Sequence, residues 1–237
     1  MKAFLLAAGM GTRLRPLTLK TPKCLVPVNK TPLIDYWFDL FELYGIDEIL
    51  INTSHLAQKV EEYIRDNSRG LSIKLAYEET LLGSGGTIKK NRDFVEGEES
   101  FFICYADNLT DINLHNMIEF HRSHQKDLTL AVFKVLTPRE CGIIEMDNDS
   151  SIVSFIEKPE NPVSDLAFAG IMLCGPGLMG FFPDKDIFDL GHDVLPLVVG
   201  HASGYVMDDY LIDIGTPEKL TQAENDMKNG KIKFSGK

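Results

Sequence analysis

The chain has 237 residues, of which 44% are hydrophobic and 25% charged, enough to bury a core without disulfides or a structural metal. The length favours one domain, expected to span residues 1–237. Its 24 Lys and Arg stand against 35 Asp and Glu, a net charge of −11, which argues against a nucleic-acid binder, because a phosphate backbone needs a basic face.

Taken in chain order, Lys2–Ala7 reads as a buried strand. The apolar run Met1–Gly9 is too short for a signal peptide or a membrane span, and Gly-Met-Gly-Thr-Arg breaks it at once. A cytoplasmic protein with no membrane partner is expected. Leu33, Trp37, Leu40, Phe41 and Tyr44 recur at helical spacing before Gly45, a helix terminator. Glu48–Asn52 is strand-like, His55–Arg65 helical, and Leu71–Tyr77 alternates as a half-buried strand. Phe101–Tyr105 is an apolar strand ending at Ala106-Asp107-Asn108, and Asn113–His124 is a helix. This alternation predicts a parallel sheet with helices on both faces.

The second half changes texture. Leu128–Val135, Gly142–Met146, Ile152–Glu157 and Ala167–Leu173 read as strands, with Asp147–Ser150 a hairpin loop. Helices are predicted near Gly175–Phe181 and Asp193–Val199, then a strand at Tyr205–Asp208 and a last helix from Pro217. The shift near residue 126 marks two lobes of one domain, about 1–126 and 127–237. Cys24, Cys104, Cys141 and Cys174 lack zinc spacing, and three lie among apolar neighbours as buried thiols. The six histidines read as structural or solvated.

The chemistry starts directly after the first strand. In Leu6-Ala7-Ala8-Gly9-Met10-Gly11-Thr12-Arg13 two glycines let backbone N–H groups approach an anion. Leu14 at the third glycine position rules out the dinucleotide fingerprint, and no Gly-Lys-Ser/Thr follows for a P-loop. By itself this loop reads first as a strand-to-helix turn. Pro16 and Pro22 are expected to hold the next stretch extended, so that it folds back and sets Lys23 beside the same anion. There a lysine acts as a point charge, while Arg13 offers a fork.

Gly9-Met10-Gly11-Thr12-Arg13 followed by Pro22-Lys23 resembles the signature of the sugar-1-phosphate nucleotidylyltransferases, or NDP-sugar pyrophosphorylases. The resemblance runs through Pro27-Val28, Pro32-Leu33 and Tyr44-Gly45-Ile46 to about residue 220. It implies a Rossmann-like three-layer α/β nucleotidyltransferase fold with a mixed, mostly parallel central sheet. It also implies Mg²⁺-dependent joining of an NTP to a sugar 1-phosphate with loss of pyrophosphate. Arg13 and Lys23 would then be catalytic, and Leu6, Ala7, Ala8, Gly9, Gly11 and Thr12 would bind the nucleotide. Leu82–Thr87 resembles the base-and-ribose loop, adding Gly83, Ser84 and the nearby Glu79. Tyr105-Ala106-Asp107-Asn108 resembles the G-D metal motif, with Ala106 in place of glycine. Asp213-Ile214-Gly215-Thr216-Pro217 resembles the motif carrying the second metal ligand. Asp107 and Asp213 are therefore the expected Mg²⁺ ligands. Asn108, Glu157, Lys158, Ala169 and Gly170 are expected around the sugar phosphate, although Phe168 and Met172 replace the usual Asn and Tyr there.

The loop Glu79–Ser84 is closer to that of mannose-1-phosphate guanylyltransferases than to the thymidylyltransferase pattern, so GTP with mannose 1-phosphate leads. Behind it stand UTP or dTTP with another hexose 1-phosphate, CTP with an alcohol phosphate, and a non-catalytic nucleotide-sugar sensor. The retained Arg13, Lys23, Asp107 and Asp213 weigh against the sensor. The chain is expected to have no room for the C-terminal β-helix of many longer relatives, so that module says nothing of its assembly; a monomer or homodimer is expected. Residues 1–30 hold six Lys or Arg and no Asp or Glu, so a basic segment is set in an acidic chain.

Overall fold

The computed structural model describes residues 1–233; the last four residues of the expected domain lie outside it. In chain order the elements are β1 (Lys2–Leu6), β2 (Pro27–Val28), β3 (Thr31–Pro32), α1 (Leu33–Leu43), β4 (Glu48–Thr53), α2 (Ala57–Asn67), β5 (Ser72–Tyr77) and α3 (Gly83–Lys90). Then come β6 (Phe101–Tyr105), β7 (Asn108–Thr110), α4 (Leu114–His124), β8 (Leu128–Lys134), β9 (Gly142–Met146), β10 (Ile152–Glu157) and β11 (Leu166–Cys174). The chain closes with β12 (Ala202–Val206), β13 (Leu211–Asp213) and α5 (Pro217–Lys228). The fold is α/β and the sheet pairing is mixed, as expected.

Contacts divide the chain into two compact units. The first comprises Met1–Thr80, Tyr105–Asn113 and the chain from Asp209 onward; the second comprises Leu81–Cys104 and Leu114–Asp208. The texture change near residue 126 falls inside the second unit.

In the first unit β1 pairs parallel with β4, and β4 with β5. Parallel neighbours need a crossover, and α1 and α2 supply it. The α1 helix buries Leu33, Ile34, Trp37, Phe38, Leu40 and Phe41. It ends where the Ile46 N–H reaches the Phe41 carbonyl and the Gly45 N–H the Glu42 carbonyl, a Schellman closure. A second core of Leu14, Val26, Val28, Leu33, Tyr36, Leu109, Ile212, Ile214 and Ala223 joins the basic segment to β7, β13 and α5.

In the second unit β11 runs antiparallel to β6, β8 and β9, and β9 to β10, while β12 joins β8 in parallel. The Asp147–Ser150 hairpin is an Asx turn, its Asp147 Oδ1 accepting the Asp149 and Ser151 N–H groups. His121 packs within this unit, its Nδ1 2.9 Å from the Thr129 hydroxyl.

Two expectations are corrected. The stretch 12–25 is not extended but forms three 3₁₀ turns, Thr12–Leu14, Leu17–Leu19 and Lys23–Leu25, because the fixed φ of proline also suits the entry to a tight turn. The predicted helix at 193–199 is a π turn over Leu190–Val194 followed by a 3₁₀ turn over Leu195–Val198. Pro196 has no N–H to continue an α ladder, and Asp189 caps the segment by accepting the Gly191 and His192 N–H groups. No helix among the described residues is long and apolar enough to cross a membrane.

Candidate active site

The first glycine loop is fixed at its base. The Leu6 carbonyl accepts the Ala106 N–H at 3.0 Å. The Ala7 and Ala8 N–H groups donate to Asn52 Oδ1 at 2.7 and 3.3 Å. Gly9 and Thr12 are exposed. Gly11 adopts φ 61, a left-handed conformation that disfavours other residues. A Cβ there would stand 2.8 Å from Thr18 Cγ2 and 3.3 Å from Lys23 Cβ. The chain therefore folds back on the loop, and the Thr18 hydroxyl pins it by donating to the Gly11 carbonyl at 2.7 Å.

This return brings Lys23 to two carboxylates. Its Nζ lies 2.6 Å from Asp107 Oδ2 and 3.2 Å from Asp213 Oδ1. The lysine side chain is only 10% exposed, whereas Asp107 and Asp213 are 35% and 30% exposed. The two aspartates are distant in sequence, and the β7–β13 pairing unites them: Asp213 registers with Asn108, and the Ile214 N–H donates to the Asp107 carbonyl at 3.0 Å. Trp37 holds the same strand, its Nε1–H donating to the Asn108 carbonyl at 3.0 Å. Asn108 itself is buried.

Two more cations face Asp213 Oδ2: Arg13 Nη2 at 3.8 Å and Lys219 Nζ at 3.7 Å. Gly215 makes room for this grouping, since a Cβ there would come within 2.7 Å of Arg13 Nη2 and 2.8 Å of Asp213 Oδ2. Thr216 caps α5 by accepting the Lys219 N–H, with Pro217 in the first turn, so Asp213–Pro217 also works as a helix start. Lys219, absent from the sequence expectations, enters the cluster through that first turn. Its signal was a basic residue at a helix N-terminus, where the helix dipole does not favour one. Neighbouring Cys24 is a buried thiol whose pKa burial pushes up to about 12, so it offers no thiolate nucleophile at neutral pH.

The second unit holds Gly83, Ser84, Glu157, Lys158, Ala169 and Gly170. Gly83 and Ser84 open α3 against Phe188–Leu190. The Gly85 and Gly86 N–H groups donate to the Phe188 carbonyl, and the Ser84 hydroxyl donates to Asp189 Oδ2 at 2.7 Å while accepting the Leu190 N–H at 2.8 Å. Glu157 is 18% exposed and pairs with Lys158 Nζ at 3.5 Å. Its Oε2 sits where a Cβ on Gly142 or Gly191 would approach to 2.8 or 3.0 Å. Ala169 and Gly170 lie at the register break of β11 on β8, between Phe168 and Met172. In the first unit Glu79 is exposed, whereas its neighbour Glu78 is buried and accepts the Asn52 amide N–H on Oε1 at 3.0 Å. Asn52 and Glu78 escaped the sequence reading because each falls at the end of a strand pattern.

The nucleotidyl transferase family model matches residues 2–230. The UTP–glucose-1-phosphate uridylyltransferase of Synechocystis sp. is 31% identical over 98% of this chain and 65% of its own length. The mannose-1-phosphate guanylyltransferase of Mycobacterium tuberculosis is 30% identical over 96% of this chain and 65% of its own. The chain thus spans just under two thirds of these curated relatives. HddC from Yersinia pseudotuberculosis superposes with a TM-score of 0.81 at 25% identity, covering 95% of this chain and 99% of that one; its complex with GMP-PN gives 0.78 at 26%, with the same coverage of both chains. With one family matched over nearly its whole length, this chain belongs to the nucleotidyl transferases.

Proposed function

We propose that the chain transfers a nucleotidyl group from an NTP to a sugar 1-phosphate, releasing pyrophosphate. The observation carrying this reading is Lys23, whose ammonium is held by Asp107 and Asp213 beside the glycine loop. The acceptor phosphate oxygen forms a bond to the α-phosphorus while the bond to pyrophosphate breaks, in line. Such a step needs positioning and charge neutralisation rather than a protein nucleophile. Arg13, Lys23 and Lys219 supply positive charge for the triphosphate, and exposed Gly9 and Thr12 let its phosphates approach the backbone. In the second unit Glu157 accepts sugar hydroxyls, Lys158 meets the sugar phosphate, and Ala169 and Gly170 complete the acceptor's contacts there.

Asp107 and Asp213 fit Mg²⁺, being two oxygen donors already gathered on one cationic group. Mg²⁺ keeps waters and substrate phosphates as its other ligands, so one or two carboxylates are enough to hold it. When bound, the ion would neutralise phosphate charge.

GTP with mannose 1-phosphate is the leading pair, supported by the guanylyltransferase relatives and by the GMP-PN complex of HddC. UTP with glucose 1-phosphate is the second reading, supported by the uridylyltransferase relative. Pyrophosphate release across a matrix of NTPs and sugar 1-phosphates, with CTP and choline phosphate included, tests both. The guanosine–mannose pair is expected to give the highest kcat/KM. Absence of turnover on every pair would sink the enzymatic reading.

A further inference from the structure

We infer that Asn52, backed by Glu78, is a positioning residue that sets the pitch of the first glycine loop for the nucleoside triphosphate. This rests on the nucleotidyl-transfer reading. Asn52 is the penultimate residue of β4 and is 5% exposed; Glu78 follows β5 and is 2% exposed. One face of the Asn52 amide meets two donors, the Ala7 and Ala8 N–H groups. The other meets Glu78 Oε1. Backbone N–H groups only donate and a carboxylate only accepts, so the amide has one satisfied orientation, with Oδ1 toward the loop. The Glu78 N–H donates to the Thr53 carbonyl at 2.8 Å, tying the carboxylate to the strand that carries Asn52.

The arrangement divides the work within the loop. The Ala7 and Ala8 amides are engaged by Asn52, which leaves Gly9 and the residues after it to present N–H groups to an anion. A charged acceptor behind a carboxamide strengthens both bonds of the relay. An aspartate at position 52 could still accept the two loop amides. It could not donate to Glu78, and two carboxylates at hydrogen-bond distance disfavour each other's ionised form.

The test uses Asn52→Asp, Glu78→Gln and the double variant N52D/E78Q in the full chain. It reads NTP affinity by titration calorimetry at pH 8 and the exchange protection of the Ala7 and Ala8 amides by NMR. N52D is expected to weaken NTP binding by about tenfold or more and to lower amide protection, with sugar-phosphate affinity unchanged. E78Q alone is expected within about threefold of wild type, because the introduced glutamine can turn its carbonyl to Asn52 and only the charge on the acceptor is lost. In N52D/E78Q the glutamine N–H donates to the introduced aspartate, and affinity and protection are expected within about threefold of wild type. A loss confined to NTP affinity, with sugar-phosphate affinity unchanged, is not expected of a merely structural asparagine. Wild-type affinity in N52D, or a double variant no better than N52D, would overturn the inference. If wild type binds no NTP, the nucleotidyl-transfer reading fails separately, and the proposed role in presenting the loop to a triphosphate fails with it. The amides then decide only the relay: protection lost in N52D and regained in the double variant retains it, and any other pattern overturns it.

Discussion

Two glycine-rich loops stand in this chain, and Gly9 of the first serves the opposite end from Gly85 and Gly86 of the second. At Gly9 a Cβ would meet nothing within 4 Å, so the residue faces open space. At Gly86 a Cβ would stand 2.3 Å from the Asp186 carbonyl oxygen, and at Gly85 it would strike the Phe188 ring at 2.2 Å. The first loop has an open face at Gly9, whereas the second is tight because its own fold fills it. Similar motifs therefore carry different constraints, and only packing tells them apart.

The largest expected effect sharpens the role of the first loop's surroundings. Asp107→Ala is expected to lower kcat/KM by about 10²–10³ fold. Its folding stability should change by less than about 1 kcal/mol, since the lost ion pair is partly exposed and Lys23 keeps Asp213. Equal losses of stability and turnover would make Asp107 structural. Next, Gly86→Ala is expected to destabilise by about 2 kcal/mol in urea titrations, as overpacking against backbone exceeds the ~1 kcal/mol that alanine gains in a helix. A stable Gly86→Ala would break the contrast between the loops. Ser84→Ala should cost about 1 kcal/mol, because it removes one donor to Asp189 and leaves the Leu190 N–H without its acceptor. The smallest stability change is expected for Gly9→Ala, within about 0.5 kcal/mol, while calorimetry should find NTP binding weakened by the methyl group at the exposed turn. Unchanged binding would remove Gly9 from the ligand face.

Much of the fold was legible where periodicity and turn chemistry agree. Phe101–Tyr105, Gly142–Met146 and Ile152–Glu157 are strands with the expected bounds. Each is a short apolar or alternating run flanked by polar turn residues. The strands β7 and β13 were not legible, since three residues carry no period; their pairing comes from the core of Leu109, Ile212 and Ile214. The candidate site divides in the same way. Gly9–Arg13, Lys23, Asp107 and Asp213 stand out as motifs, and the fold draws Arg13, Lys23 and both aspartates together. Asn52, Glu78 and Lys219 do not stand out, because their importance lies in partners that only tertiary structure supplies. The stretch 12–25 misled for a related reason: proline restricts φ, but ψ chooses between an extended chain and a turn.

Trp37 turns one structural contact into an instrument. It is the one tryptophan of the chain, 1% exposed, and its indole N–H is bonded to the Asn108 carbonyl, one residue from Asp107. Emission on tryptophan excitation therefore comes from a single site, wired to the first residue of the strand that follows the candidate metal ligand Asp107. A cation or polyphosphate that shifts this strand alters the hydrogen bond on which the indole rests. Unlabelled protein can then report occupancy in a cuvette, before any product is sought.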